Sequence, residues 1–146
     1  MDAARRVLRW ERAGGRRVRL ELTLLDAAAM RRLNHRAFGR RALTDVIAFA
    51  LPQPDGGLLG DVYICPEAAR HWVENVARST SHVARNGRRG RDNVDHATWN
   101  VELLRLAVHG TLHVLGYDHP EGPARTRSAM WRRQERYVRR LARTVR

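Results

Sequence analysis

Residues 97–119 read ATWNVELLRLAVHGTLHVLGYDH, and the rest of the chain is read outward from them. Trp99, Leu103, Leu106 and Ala107 recur at helical spacing, which predicts a long helix over 97–115. Gly116 ends it, because glycine takes the left-handed conformation that closes a helix and reverses the chain. His109 and His113 stand four residues apart, so both imidazoles leave one helix face a turn apart. Two helix histidines chelate zinc at that spacing. The turn at Gly116 can return His119 to the same ion. Three neutral imidazoles and one open position make a catalytic zinc arrangement, since structural sites are closed by four protein ligands. Three of the seven histidines fall within these eleven residues, a grouping hard to explain as surface decoration. The expectation is one zinc ion per chain on His109, His113 and His119. His35, His71, His82 and His96 show no such grouping and carry no assignment.

On the N-terminal side, residues 3–13 predict a short helix stopped by Gly14-Gly15. Residues 17–24 (RVRLELTL) alternate, with Val18, Leu20, Leu22 and Leu24 on one face of a half-buried strand. Asp26 reads as an N-cap for a helix over 27–37, with Ala29, Met30, Leu33 and Ala37 inward. Residues 38–44 (FGRRALT) form a basic loop. Two strands, 45–51 and 58–65, flank the turn residues PQPDGG and predict a hairpin. Pro66 suits a helix start, and 66–78 continue as helix. The Arg-rich stretch 79–96 predicts an exposed loop, longer than most. A last helix spans about 123–143, with Met130, Gln134, Tyr137, Val138 and Leu141 inward. Trp72, Trp99 and Trp131 lie on apolar helix faces and read as core, as does Tyr117 as packing.

The 146 residues suit a single domain, with ~70% of the unfolded surface buried on folding at this size. No apolar run reaches membrane-spanning length, and the N-terminus lacks the apolar stretch of a signal peptide, so a cytoplasmic location is the default. Cys65 is the single cysteine, which excludes an internal disulfide and a cysteine zinc cluster. Net charge is +13, from 28 basic residues against 15 acidic ones, and every basic residue is Arg. Such an excess draws phosphate backbones and makes binding salt-sensitive. Nine arginines lie between Arg125 and Arg146, which offers either a solvated face or a surface that tracks phosphates.

The histidine spacing also occurs in metzincin proteases, HExxHxxGxxH. There the second position is the general base. Here it is Gly110, which cannot move a proton, so a metallopeptidase is disfavoured. The segment HGTLHVLGYDH resembles instead the signature of the YbeY family of bacterial endoribonucleases. Leu33-Asn34, Gly39, Thr44-Asp45-Val46-Ile47-Ala48-Phe49 and Leu59-Gly60-Asp61-Val62-Tyr63-Ile64 follow the family's LN, glycine loop, TDVLSF and LGDI segments in order. The resemblance covers roughly residues 18–75 and 97–145. It implies an α+β fold, a small mixed sheet packed with about four to five helices, and a zinc site at the end of a central helix. It also implies a single-strand-specific endoribonuclease that matures ribosomal RNA at the small-subunit 3′ end and serves ribosome quality control. RNA, ribosomal RNA or the small subunit, is the implied partner.

The chain departs from that pattern. Phe38 stands where the family has an Arg linked to catalysis, Ala48 and Ala50 replace Ser and Pro, Leu43 replaces a common Pro, and 79–96 reads as an insertion. Arg36, Arg40 and Arg41 are the nearest substitutes for the missing Arg, either in catalysis or only against the RNA backbone. Asp118, beside His119, either orients a ligating ring or caps the turn. Water and the RNA 2′-OH both remain open as nucleophile. The alternative to a nuclease is a catalytically weakened RNA- or ribosome-binding factor that retains zinc.

Overall fold

The computed structural model describes residues 2–11, 15–71, 74 and 96–143. Helix α1 (Asp2–Trp10) leads into strand β1 (Val18–Leu24) and helix α2 (Ala27–Phe38). Strands β2 (Val46–Pro52) and β3 (Leu58–Ile64) follow, then helical residues 66–71 (α3). The chain ends in α4 (His96–Val114), a 3-10 turn (Gly122–Arg127) and α5 (Ala129–Ala142). This is the expected α+β arrangement, with a three-stranded mixed sheet of order β1-β3-β2. β1 runs parallel to β3, from Val18 opposite Leu58 to Leu24 opposite Ile64. β2 and β3 form the expected antiparallel hairpin.

The central strand explains the layers. In β3, Leu58, Gly60, Val62 and Ile64 alternate with Leu59, Asp61 and Tyr63, and the first set is buried throughout. Leu58, Val62 and Ile64 pack against Leu106, Ala107 and Val114 of α4. On the other face, Tyr63 and Phe49 pack with Met30 of α2, Ile47 and Cys65. The far side of α4 meets α1 and α5 through Val7, Val108, Leu112, Met130, Tyr137, Val138 and Leu141. Helix α4 is therefore covered on two sides, and residues 106–112 are all buried. A helix in that position must be apolar around its circumference. Burying Val108 and Leu112 there stabilises the fold by ~1.5–3 kcal/mol each.

Glycine sets how close α4 comes to the sheet. A Cβ at Gly110 would run into the side chain of Val62, and one at Gly60 into that of Val114. The position that would be glutamate in a metzincin thus serves as the contact point between helix and strand.

The structure corrects several details. Leu24 shares the parity of the inward residues, yet it is 63% exposed at the end of an edge strand. In α2, Met30 is buried and Leu33 packs beside it as expected, but Ala37 is exposed and Asn34 is buried instead. Asn34 turns in because its Nδ2 donates to the Ala42 carbonyl at 2.7 Å, which holds the loop after α2. Strand β2 is well buried only at Ile47; Leu51, on the other edge of the sheet, is 60% exposed. The last helix is broken. Ser128 adopts an extended ψ of 157°, ends the 3-10 turn, and caps α5 by accepting from the Trp131 N–H at 3.1 Å. Residues 72, 73 and 75–95, and so Trp72, the end of the expected helix 66–78 and nearly all of the expected loop 79–96, lie outside the described residues; His96 already belongs to α4. No described helix is long and apolar enough to cross a membrane.

Candidate metal centre

The end of α4 builds the site. The Gly116 N–H donates to the His113 carbonyl at 3.0 Å and the Tyr117 N–H to the Leu112 carbonyl at 3.0 Å. With Gly116 at φ 94°, this is a Schellman closure, which only glycine enters without strain. Tyr117 then packs on the α1–α4–α5 cluster, and its hydroxyl donates to Glu11 at 2.7 Å. Asp118 accepts from the His119 N–H at 2.8 Å. The turn is thereby fixed at both ends, and His119 faces back toward α4.

The three Nε2 atoms converge. Those of His109 and His113 are 3.1 Å apart, and that of His119 is 3.3 Å from each. Tetrahedral zinc with Zn–N of ~2.0–2.1 Å holds its nitrogens ~3.3–3.4 Å apart, so the donor set fits such an ion. The other ring nitrogens support the same state. Nδ1 of His109 lies 2.7 Å from Gln134 Oε1, and Nδ1 of His119 lies 3.1 Å from the Pro120 carbonyl. Both partners can only accept, so each Nδ1 carries the proton and each Nε2 keeps a lone pair for a metal. Burial pushes His109 down to about 4, helped by the charges of His113, Arg125 and His119 and opposed by the Gln134 hydrogen bond. Burial also lowers His113, with the His119 charge second. Both imidazoles are thus neutral at pH 7, as ligands must be.

Behind His109 lies a buried polar chain. Gln134 is 1% exposed and its Nε2 donates to Glu135 at 3.1 Å, which fixes the amide so that its oxygen faces His109. Arg105 donates from Nε to Glu135 at 2.8 Å and also pairs with Glu102. Burial works to raise the Glu135 carboxyl, but its bonds from Arg105 and Gln134 outweigh this and hold it below the usual range. Sequence reasoning put Gln134 on the inner face of the last helix without giving it a role. The available signal was a polar amide within an apolar stripe, which demands a partner.

The other candidates are placed as follows. Of the two readings of Asp118, the geometry is that of the turn cap, since its carboxylate takes a backbone N–H. Arg36 and Arg41 are exposed, and Arg40 sits 3.6 Å from Glu121. None of the three lines the cavity beside His109. Phe38 is 53% exposed and stacks on Phe49, with ring centres 5.9 Å apart. That cavity has a volume of about 120 Å³, and its wall includes Asp45, Arg125, Trp131 and Gln134. Trp131 is accordingly a half-buried cavity residue rather than core. Burial raises the Asp45 carboxyl, against opposition from backbone N–H groups and the Arg125 charge. Several arginines of the C-terminal region have partners within the protein: Arg133 bonds Glu11 at 3.0 Å, Arg132 the Arg127 carbonyl at 2.7 Å, and Arg140 lies 4.1 Å from the Trp10 ring centre.

Comparison with known proteins follows the same lines. A protein from Mycolicibacterium smegmatis named endoribonuclease YbeY is 34% identical over 113 residues, which is 70% of this chain and 53% of that protein. The endoribonuclease YbeY of Mycobacterium tuberculosis strain H37Ra is 33% identical over the same shares. The chain therefore spans about half the length of these curated relatives. The solution structure of TM1509 from Thermotoga maritima is 27% identical, covering 94% of this chain and 77% of that one, with a TM-score of 0.49. The family model described as endoribonuclease YbeY matches residues 2–142, and on that match the chain belongs to the YbeY family.

Proposed function

We propose that the chain is a single-domain, zinc-dependent endoribonuclease that cleaves single-stranded RNA and matures ribosomal RNA at the small-subunit 3′ end, with a part in ribosome quality control in the cytoplasm. One observation carries this reading: three histidine Nε2 atoms converge within 3.3 Å while the far nitrogens of His109 and His119 are bonded to acceptors. Family membership supplies the substrate class, since the relatives are named endoribonucleases. The net charge of +13 favours an RNA backbone. When bound, the ion supplies Lewis acidity at the reacting phosphate and its water. The chain's own part is to hold three neutral imidazoles in place. Gln134 orients His109, the Pro120 carbonyl orients His119, and the Schellman turn sets the distance between α4 and His119.

A second reading, a weakened RNA- or ribosome-binding factor that retains zinc, is motivated by Phe38. The experiment that separates the two measures zinc per chain and cleavage of single- and double-stranded RNA by wild type, His113→Ala and Phe38→Arg. The nuclease reading expects one zinc per chain and single-strand cleavage, both lost in His113→Ala. Inactive wild type with activity gained in Phe38→Arg selects the binding factor. Full zinc occupancy in His113→Ala overturns the site itself.

A further inference from the structure

The cavity beside His109 is lined by a cation, Arg125, whose buried Nε lacks a protein acceptor. Arg125 lines it from the 3-10 turn Gly122–Arg127, which begins three residues after His119. Its Nε is buried and, among the described residues, is the one buried side-chain nitrogen or oxygen without a hydrogen-bond partner. A buried donor left unpaired is disfavoured, and such exceptions point to a missing acceptor. Arg125 makes no close ion pair among the described residues, and the one carboxyl known to feel its charge, Asp45 in the same cavity, lies beyond contact distance. Its guanidinium carbon lies 5.6 Å from the Trp131 ring centre, so the ring supports the plane of the fork.

The place where a cation was expected is apolar. Phe38 stacks on Phe49, Arg36 and Arg41 are exposed, and Arg40 is drawn to Glu121. Arg125 shares its cavity with His109, so a phosphate seated there would find a planar fork suited to two of its oxygens. We propose that Arg125 is the substrate-contacting cation of this chain, holding a non-bridging phosphate oxygen beside the metal in the role that Phe38 cannot fill. The inference rests on the reading of the centre as a phosphodiester site. Charge that builds on phosphorus during cleavage is then stabilised by a group already in position.

The test titrates the zinc-loaded full chain with inorganic phosphate by calorimetry, for wild type, Arg125→Ala, Arg125→Lys and Arg127→Ala. Zinc per chain, melting temperature and kinetics on single-stranded RNA are measured on the same preparations. Arg125→Ala is expected to bind phosphate about tenfold more weakly or worse, the scale of one charge-assisted hydrogen bond. Zinc content stays at the wild-type level, kcat falls more than KM rises, and added guanidinium restores part of the rate. Arg125→Lys recovers part of the phosphate affinity, and Arg127→Ala, a charge-matched control on the same turn, matches wild type. Unchanged phosphate affinity in Arg125→Ala overturns the inference. If Arg125→Ala loses its zinc or its fold, Arg125→Gln decides by the same titration, and wild-type affinity there also overturns it. Wild type that binds phosphate through Arg125 but cleaves no RNA removes the nuclease reading and leaves this one standing. Cleavage by wild type alongside full phosphate affinity in Arg125→Ala has the opposite meaning.

Discussion

Replacing Gln134 by leucine keeps the bulk of the side chain and removes the acceptor that His109 Nδ1 has at 2.7 Å. Gln134 is 1% exposed, so no bulk water takes over the bond. The ring can then lose its tautomeric bias, turn, or leave a buried N–H unpaired. The last outcome costs about 1–3 kcal/mol, and the partner's loss elsewhere typically weakens metal affinity about 10–100-fold. Those two estimates agree, because ~1.4 kcal/mol corresponds to a factor of ten. The assay is competition for zinc against a chromophoric chelator at pH 7.5, with the melting temperature of the metal-free protein taken in parallel. Gln134→Leu should lose affinity in that range, and Gln134→Glu, which keeps an acceptor, should lose less. Equal affinity in Gln134→Leu and wild type would show that His109 is held by packing alone, and the outer-chain reasoning would fall with it.

Two further predictions concern the frame of the site. Gly110→Ala drives a Cβ into Val62 and should destabilise the protein by about 1–3 kcal/mol in urea melts, with zinc binding weakened only as far as α4 shifts; a neutral substitution would mean that α4 is not pinned there. Glu11 accepts from Tyr137, Tyr117 and Arg133. Burial alone would raise its carboxyl, but these bonds outweigh it and hold the folded value below the ordinary one. Its stabilisation is therefore complete above the unfolded pKa of ~4.3 and is lost as pH falls through the folded value. Glu11→Gln should be less stable at pH 7 and should show a shallower acid limb below about pH 4.3; the same acid slope in both proteins would refute the assignment.

The parts legible in sequence were those with local causes. The hairpin around PQPDGG, the Asp26 cap and the three histidines around Gly116 each follow from spacing within a few residues, and each is found in the structure. What escaped depends on contacts between distant segments. Glu11 meets Tyr117 across 106 positions, and nothing near either residue announces the other. Gln134 was visible as an inward residue, but its partner lies 25 positions earlier on another helix. Leu24 was misread because alternation reports a face and not whether the end of that face is covered.

Arg125 escaped for a different reason. Read as one helix over 123–143, the segment turns Arg125 into one of nine similar arginines on a solvated surface. The break at Ser128 separates the 3-10 turn from α5, and the turn's orientation is then no longer tied to the phase of the helix. Gly122, at φ 74°, lets the chain double back after His119. These two backbone features, and not the local charge density, bring one arginine into the cavity with His109 while Arg127 of the same turn stays exposed. A Ser128→Ala change removes the cap that starts α5 there, so it should cost about 0.5–2 kcal/mol and loosen Arg125 as well. If it lowers stability but leaves phosphate affinity intact, the turn holds Arg125 without help from the cap, and Gly122 becomes the position that decides where this cation points.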